Sequence, residues 1–293
     1  MTLFSKYHYP FSILGLNSKI NEIVAESEQN YNAEILKQIF GLMDLTSLNT
    51  TDSVGKIGKM CQKVNKFNDF YPDYPSVAAI CVYPNMVSTV KQILKVNSIG
   101  IASVAAGFPS SQTFTEIKLA ETKMAMHDGA TEIDIVISLG DFISGNYKFV
   151  IRELESIKEA VGSAHLKVIL ETGALSDPLK IWEASILAMN SGADFIKTST
   201  GKLQPAATID AVVVMAEAIK AFKKENGKMI GIKPAGGIST GHEAVLYYTA
   251  VKKILGTEWL NPGLFRFGAS SLANNIISEV NKLENKESTE NYF

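Results

Sequence analysis

Cysteine is nearly missing from this chain: two in 293 residues, Cys61 and Cys81, far apart and with no C-x-x-C. That excludes a disulfide scaffold and a thiolate zinc site, and it predicts a reducing, cytoplasmic setting. Histidine is scarce too. His8, His127, His165 and His242 are scattered and fall at no strand end, so neither a hydrolytic triad nor a metal-ligand cluster is expected. No apolar run approaches the roughly 18–20 residues that span a bilayer. The opening MTLFSKYHYPFSILGLNSK shows no charged leader followed by a sustained apolar stretch and a small-residue cleavage site, so no signal peptide is expected. An excess of one charge is also absent. The formal net charge of -2 favours neither nucleic acid nor an anionic membrane as a partner. The short basic clusters Lys223-Lys224 and Lys252-Lys253 fall in helical stretches and read as solvated faces. Missing as well are G-x-G-x-x-G, G-x-x-x-x-G-K-[ST], H-E-x-x-H and G-x-S-x-G.

What is present is an alternation. Short apolar runs recur at Gly41–Thr46, Val77–Tyr83, Ile99–Ala105, Glu132–Ser138, Leu166–Glu171, Phe195–Thr198, Met229–Lys233 and Leu264–Phe267. Each has strand length, and most are rich in Ile, Val or Phe. Longer segments with helical spacing lie between them. Ile117, Ala120 and Met124 mark one apolar face, and Val212, Val213, Ala216 and Ile219 another. Eight such units imply parallel strands with right-handed crossovers. Without a dinucleotide fingerprint, the reading is α/β: a (β/α)8 TIM barrel with an N-terminal helical extension. The expected organisation is an extension over 1–40, a barrel over 41–283 and a flexible polar tail over 284–293. Within the extension, residues 1 to about 30 read as irregular, followed by a helix at Ala33–Phe40.

In such barrels chemistry sits at the carboxyl ends of the strands. Two lysines there are out of keeping with their surroundings: Lys197 in DFIKT and Lys233 in IGIKP, each within an apolar strand. Lysine is almost never buried without a partner. Each could snorkel to the barrel rim or pair with Asp134 or Glu171. Two on adjacent strands would also depress each other's pKa, which makes a lysine a usable nucleophile. Glycine-rich turns follow strands six, seven and eight (STGK, AGG, GASS), where phosphate sites recur in this fold. Ser270 and Ser271 could instead simply cap the last helix.

At these residues the sequence resembles the deoxyribose-phosphate aldolase family. The segments LMDLTSLN, AAICVYP, EIDIVISLGDFISGNY, LKVILETGAL, ADFIKTSTGK, GIKPAGGI and FRFGASSL carry the likeness from about residue 42 to 272. The resemblance implies a cofactor-free class I aldolase that reversibly cleaves 2-deoxy-D-ribose 5-phosphate through a lysine Schiff base, with no metal. It implies Lys197 as the Schiff-base lysine, Lys233 as the lysine that tunes it and Asp134 as the acid/base carboxylate. Asp44 and Thr46 would hold substrate hydroxyls, and Cys81 would line the pocket. Thr198, Gly201, Lys202, Gly236, Gly237, Gly268, Ser270 and Ser271 would bind substrate, most of them at its phosphate. The partner expected is a small phosphorylated sugar, with a homodimer as the assembly. Some relatives fold a C-terminal tyrosine over the site; Tyr292, followed here by Phe293, departs from that ending. Competing readings are another Schiff-base phosphosugar aldolase, a transaldolase, or a non-catalytic phosphate-binding barrel.

Overall fold

The computed structural model describes residues 3–287 and 291–293. The eight runs form eight parallel strands: β1 Met43–Thr46, β2 Ala79–Val82, β3 Gly100–Val104, β4 Glu132–Val136, β5 His165–Ile169, β6 Phe195–Lys197, β7 Gly231–Lys233 and β8 Phe267–Ala269. They pair in the order β7-β6-β5-β4-β3-β2-β1-β8. Isolated bridges Ile232–Phe265 and Ala235–Gly268 join the two edges, so the sheet closes into a (β/α)8 barrel. Strands covered on both faces need apolar residues on both, which is why they read as unbroken runs rather than alternating ones.

Among the described residues there are twelve helices. In chain order they are α1 Ile13–Asn30, α2 Ala33–Gly41, α3 Val54–Phe70, α4 Val87–Ile93, α5 Thr115–His127 and α6 Leu139–Ile143. Then come α7 Tyr147–Val161, α8 Thr172–Leu175, α9 Pro178–Asn190, α10 Ile209–Asn226, α11 Gly241–Leu255 and α12 Leu272–Leu283. No helix among the described residues is long and apolar enough to cross a membrane.

Three expectations need correction. Residues 13–30 are not irregular but helical. Ser12 caps α1 by accepting from the Gly15 N–H at 3.2 Å, and Leu16, Ile23 and Ser27 are buried along one face. This helix lies on α10 and α11, where Asn30 meets Thr249 at 3.0 Å and Glu26 meets Lys253 at 2.8 Å. The polar residues that masked the helix are its solvent face. Strand eight starts three residues later than the apolar run Leu264–Phe267. The N–H groups of Leu264 and Phe265 both turn back to the Asn261 carbonyl, at 3.0 and 2.9 Å, so pairing with β1 begins only at Phe267.

The third correction concerns α5. Ile117 and Met124 are 54% and 68% exposed, and the buried face is Lys118, Thr122 and Ala125. Lys118 Nζ reaches Ser111 and Ser138 at 2.8 Å and both carboxylate oxygens of Glu153 at 3.0 Å. A satisfied ion pair has overridden the apolar periodicity. It ties the loop after β3 to the start of α6 and to α7. Lys118→Met leaves Glu153 buried without its cation, so unfolding in urea is expected to show a loss of about 3–5 kcal/mol. Glu153→Gln in the same chain should recover part of it. A loss below about 1 kcal/mol would show that the pair adds little.

Of the tail, residues 288–290 lie outside the described residues. The Tyr292 hydroxyl donates to the Lys63 carbonyl at 2.8 Å, on α3. The Phe293 backbone exchanges hydrogen bonds of 2.9 and 3.0 Å with Asn274 on α12. Tyr292 therefore stands on the flank of α3 and does not line the cavity described next.

Candidate active site

Lys197 and Lys233 end β6 and β7 and are register partners across them. Both point inward and both donate to Asp134 Oδ2 at 2.8 Å. Neither snorkels: Lys197 is 3% exposed and Lys233 is fully buried. Lys233 also pairs with Asp44. Below them lies a layer that sequence reasoning passes over. Lys167 on β5 contacts Asp134 at 3.0 Å and pairs with Glu132. Arg266, just before β8, bridges Asp44 at 2.5 Å and Glu132 at 2.8 Å. Lys167 carries the same signal that marks the other two lysines, a cation inside an apolar strand (LKVIL). Arg266 carries it as well, inside the run Leu264–Phe267 (LFRF).

These groups do not titrate alike. Burial alone would raise Asp134, but Lys167, Lys197 and Lys233 together hold its carboxyl well below the usual range. Burial pushes Lys197 down; Asp134 opposes this and the Lys233 charge adds to it. Lys233 moves the opposite way, because its two carboxylates outweigh burial and keep it protonated. Desolvation is thus the larger cause of the Lys197 depression, and the neighbouring cation the lesser one. Burial likewise pushes the Cys81 thiol up and keeps it protonated.

Above the lysines a cavity of about 270 Å³ opens at the carboxyl ends of the strands. Its floor is Lys197, and its walls include Thr46, Thr200, Gly201, Lys202, Gly236, Gly237, Gly268, Ser270 and Ser271. Gly236 sits at φ 83°, and a Cβ there would stand 2.8 Å from the Cα of Gly201, so two glycines let the loops after β6 and β7 touch. Ser271 begins α12 without a side-chain cap, which leaves the first N–H groups of a twelve-residue helix for an anion. Lys202 Nζ crosses the mouth to the Leu48 carbonyl at 2.5 Å.

Lys233 and Asp134 lie beneath this cavity without lining it, and three of the expected substrate-binding residues lie outside it too. Asp44 is fully buried beneath it and engaged by Lys233 and Arg266, so it offers no open oxygen to a substrate hydroxyl. Thr198 ties β6 to the end of β7 through Ala235, accepting at 3.0 Å and donating at 3.2 Å. Cys81 packs with Leu48, Ala102 and Val104. Glu171 does not join the lysines either. It accepts from the Thr200 N–H at 3.1 Å and hydroxyl at 2.5 Å, fixing the loop after β6. A larger groove of about 500 Å³ runs beside Tyr9–Leu16, but its lining includes no lysine, histidine or cysteine. Chemistry, not size, selects the site.

Fold and cavity place the chain among the (β/α)8-barrel enzymes, with a buried amine beneath an anion-sized recess. Residues 39–274 match the family described as "DeoC/LacD family aldolase", and the chain belongs to it. A relative from Caenorhabditis elegans, provisionally named a deoxyribose-phosphate aldolase, is 42% identical over 268 residues, covering 89% of this chain and 88% of that one. The Mus musculus protein named "Deoxyribose-phosphate aldolase" is 45% identical over 205 residues, 69% of this chain and 64% of the mouse protein's length. Among solved structures, "QR15, an Aldolase" superposes with a TM-score of 0.68 at 28% identity, covering 84% of this chain and 97% of that one.

Proposed function

We propose that the chain reversibly cleaves 2-deoxy-D-ribose 5-phosphate to D-glyceraldehyde 3-phosphate and acetaldehyde through a Schiff base on Lys197. The observation that carries the reading is that Lys197, alone among the described buried cations of the barrel, lines the cavity, and burial pushes its pKa below the ordinary lysine value. Lys197 attacks C1 of the open-chain aldehyde, and loss of water gives an iminium. The C3 hydroxyl gives up its proton and the C2–C3 bond breaks. Its electron pair becomes an enamine conjugated to the Lys197 nitrogen, and glyceraldehyde 3-phosphate leaves. Protonation at C2 and hydrolysis then return the amine and release acetaldehyde. Asp134, ringed by three lysines, serves as the hub through which these protons pass. The glycine loops and the start of α12 bind the phosphate, and that remote binding orients the reacting carbons. Supplying 2-deoxyribose 5-phosphate and following glyceraldehyde 3-phosphate tests the reading. Product from a different phosphosugar only, or none at all, would replace it.

The phosphate grip has its own test. Ser270→Asp sets a carboxylate against the substrate dianion at the mouth of the cavity. Charged hydrogen bonds contribute about 1.5–3 kcal/mol and repulsion adds to that, so kcat/KM on the phosphorylated sugar should fall on the order of 100-fold. On plain deoxyribose the change should be much smaller. Equal losses on both sugars would mean that Ser270 acts through folding.

A further inference from the structure

The ionisable groups inside the barrel come in unequal numbers. Three carboxylates, Asp44, Glu132 and Asp134, face four cationic side chains, Lys167, Lys197, Lys233 and Arg266. Their sharing is also unequal. Arg266 touches Asp44 and Glu132; Lys167 touches Glu132 and Asp134, with Asp44 at 3.5 Å; Lys233 touches Asp44 and Asp134. Lys197 has Asp134 alone, at 2.8 Å, and shares it with two other lysines. Setting Lys197 aside leaves three cations matched to three carboxylates. A proton on Lys197 would be a fourth buried positive charge without a fourth carboxylate, which is costly where water is excluded.

Arg266 is what fixes this count. Guanidinium does not release its proton, so the surplus cannot be relieved there and falls on the least-partnered amine. Arg266 does not touch Lys197: its guanidinium ends on Asp44 and Glu132, and Asp44 in turn pairs with Lys233. With Glu132 it lines a recess at the amino ends of the strands, beside Gly41, Gly100 and Thr131, at the closed end of the barrel opposite the substrate cavity.

We propose that Arg266 and Glu132 are positioning residues of opposite sign, setting from the far end of the barrel the charge count that keeps Lys197 unprotonated. This rests on Lys197 being the nucleophile. Two further titratable groups face the cluster. Cys81 on β2 is held as the thiol by burial, and His165 at the start of β5 stands 4.0 Å from Glu132 with its side chain 45% exposed.

Charge-changing substitutions at this end should therefore move the Lys197 titration in opposite directions. Arg266→Met leaves three carboxylates to Lys167 and Lys233, so Lys197 is recruited as a counter-ion and holds its proton more tightly. Glu132→Gln leaves three cations to two carboxylates, and Lys197 sheds its proton more readily. The double variant restores an even count. Acting through the intervening ion pairs at an effective dielectric of about 20, each single change should be worth on the order of one pH unit, about tenfold in the unprotonated fraction at neutral pH.

The test uses the full-length chain, acetaldehyde and cyanoborohydride, comparing variants at matched pH from about 6 to 10 and following the reduced adduct on the Lys197 peptide by mass spectrometry. Arg266→Met should raise the midpoint of the trapping rate and Glu132→Gln lower it. Arg266→Lys should keep it, and the double variant should return close to the unaltered chain. Midpoints that shift the same way, or not at all while trapping persists, would overturn the proposal and leave both residues a purely structural role. If Arg266→Met does not fold, Glu132→Gln against Arg266→Lys still decides the sign. No adduct at Lys197 in the unaltered chain at any pH would instead overturn the Schiff-base reading itself.

Discussion

The Lys197→Met chain is expected to form no reducible adduct with acetaldehyde at any pH. It should cleave 2-deoxyribose 5-phosphate at least about 10³-fold more slowly, because removing a covalent nucleophile removes the whole pathway rather than one contact. Folding should survive the change. Methionine occupies much of the lysine stem's volume, and Asp134 keeps Lys167 and Lys233 as partners, so no buried carboxylate is stranded. Circular dichroism serves as the control, and coupled detection of glyceraldehyde 3-phosphate as the readout. Retention of more than a few per cent of turnover, or an adduct that maps to Lys233, would exchange the two roles.

Lys233→Leu should produce a different kind of loss. Lys233 pairs with both Asp44 and Asp134, so its removal takes a cation from beside Lys197 and frees Asp134 to pair more strongly with Lys197. Both effects raise the Lys197 pKa. An unperturbed lysine near 10.4 is neutral in only about one molecule in a few thousand at pH 7. Trapping at neutral pH should therefore fall on the order of 10- to 100-fold and recover as the pH rises toward that range. Turnover should recover less than trapping, because a member of the proton relay has gone as well. A trapping rate that stays low at alkaline pH would mean that Lys233 positions the substrate and does not tune the amine.

The sequence made the barrel legible because strands buried on both faces leave unbroken apolar runs, and lysines inside such runs stand out. Lys197 and Lys233 were recognisable on that ground, with Asp134 named as a carboxylate they could pair with, and the structure brings all three within hydrogen-bond reach. The lower charged layer was not. Glu132 was visible as a strand residue, but nothing local says that it meets Arg266, which lies 134 positions away along the chain. Asp44 misleads for a related reason. Expected to hold a substrate hydroxyl, it is the second residue of β1, below the cavity, and its carboxylate is held by two cations. On α5 the apolar pattern named the exposed face, because a lysine can occupy the core once its partners are in place. Which cations are paired depends on residues remote in sequence, so local pattern carries no record of it.

The α1 helix has a consequence for the order in which the chain can acquire structure. Its contacts are to α10 and α11, with Lys19 joined to Glu217 across 198 positions and Asn30 to Thr249 across 219. Strand β1 likewise waits for β8. During synthesis at about 5–20 residues per second, the first forty residues must persist for roughly ten to forty seconds before either surface exists. Native contacts this distant in sequence slow the search for the folded state. The apolar stripe of Leu16 and Ile23 is a half-made interface through that interval. Docking of α1 and closure of the barrel then fall due together, when the last third of the chain emerges.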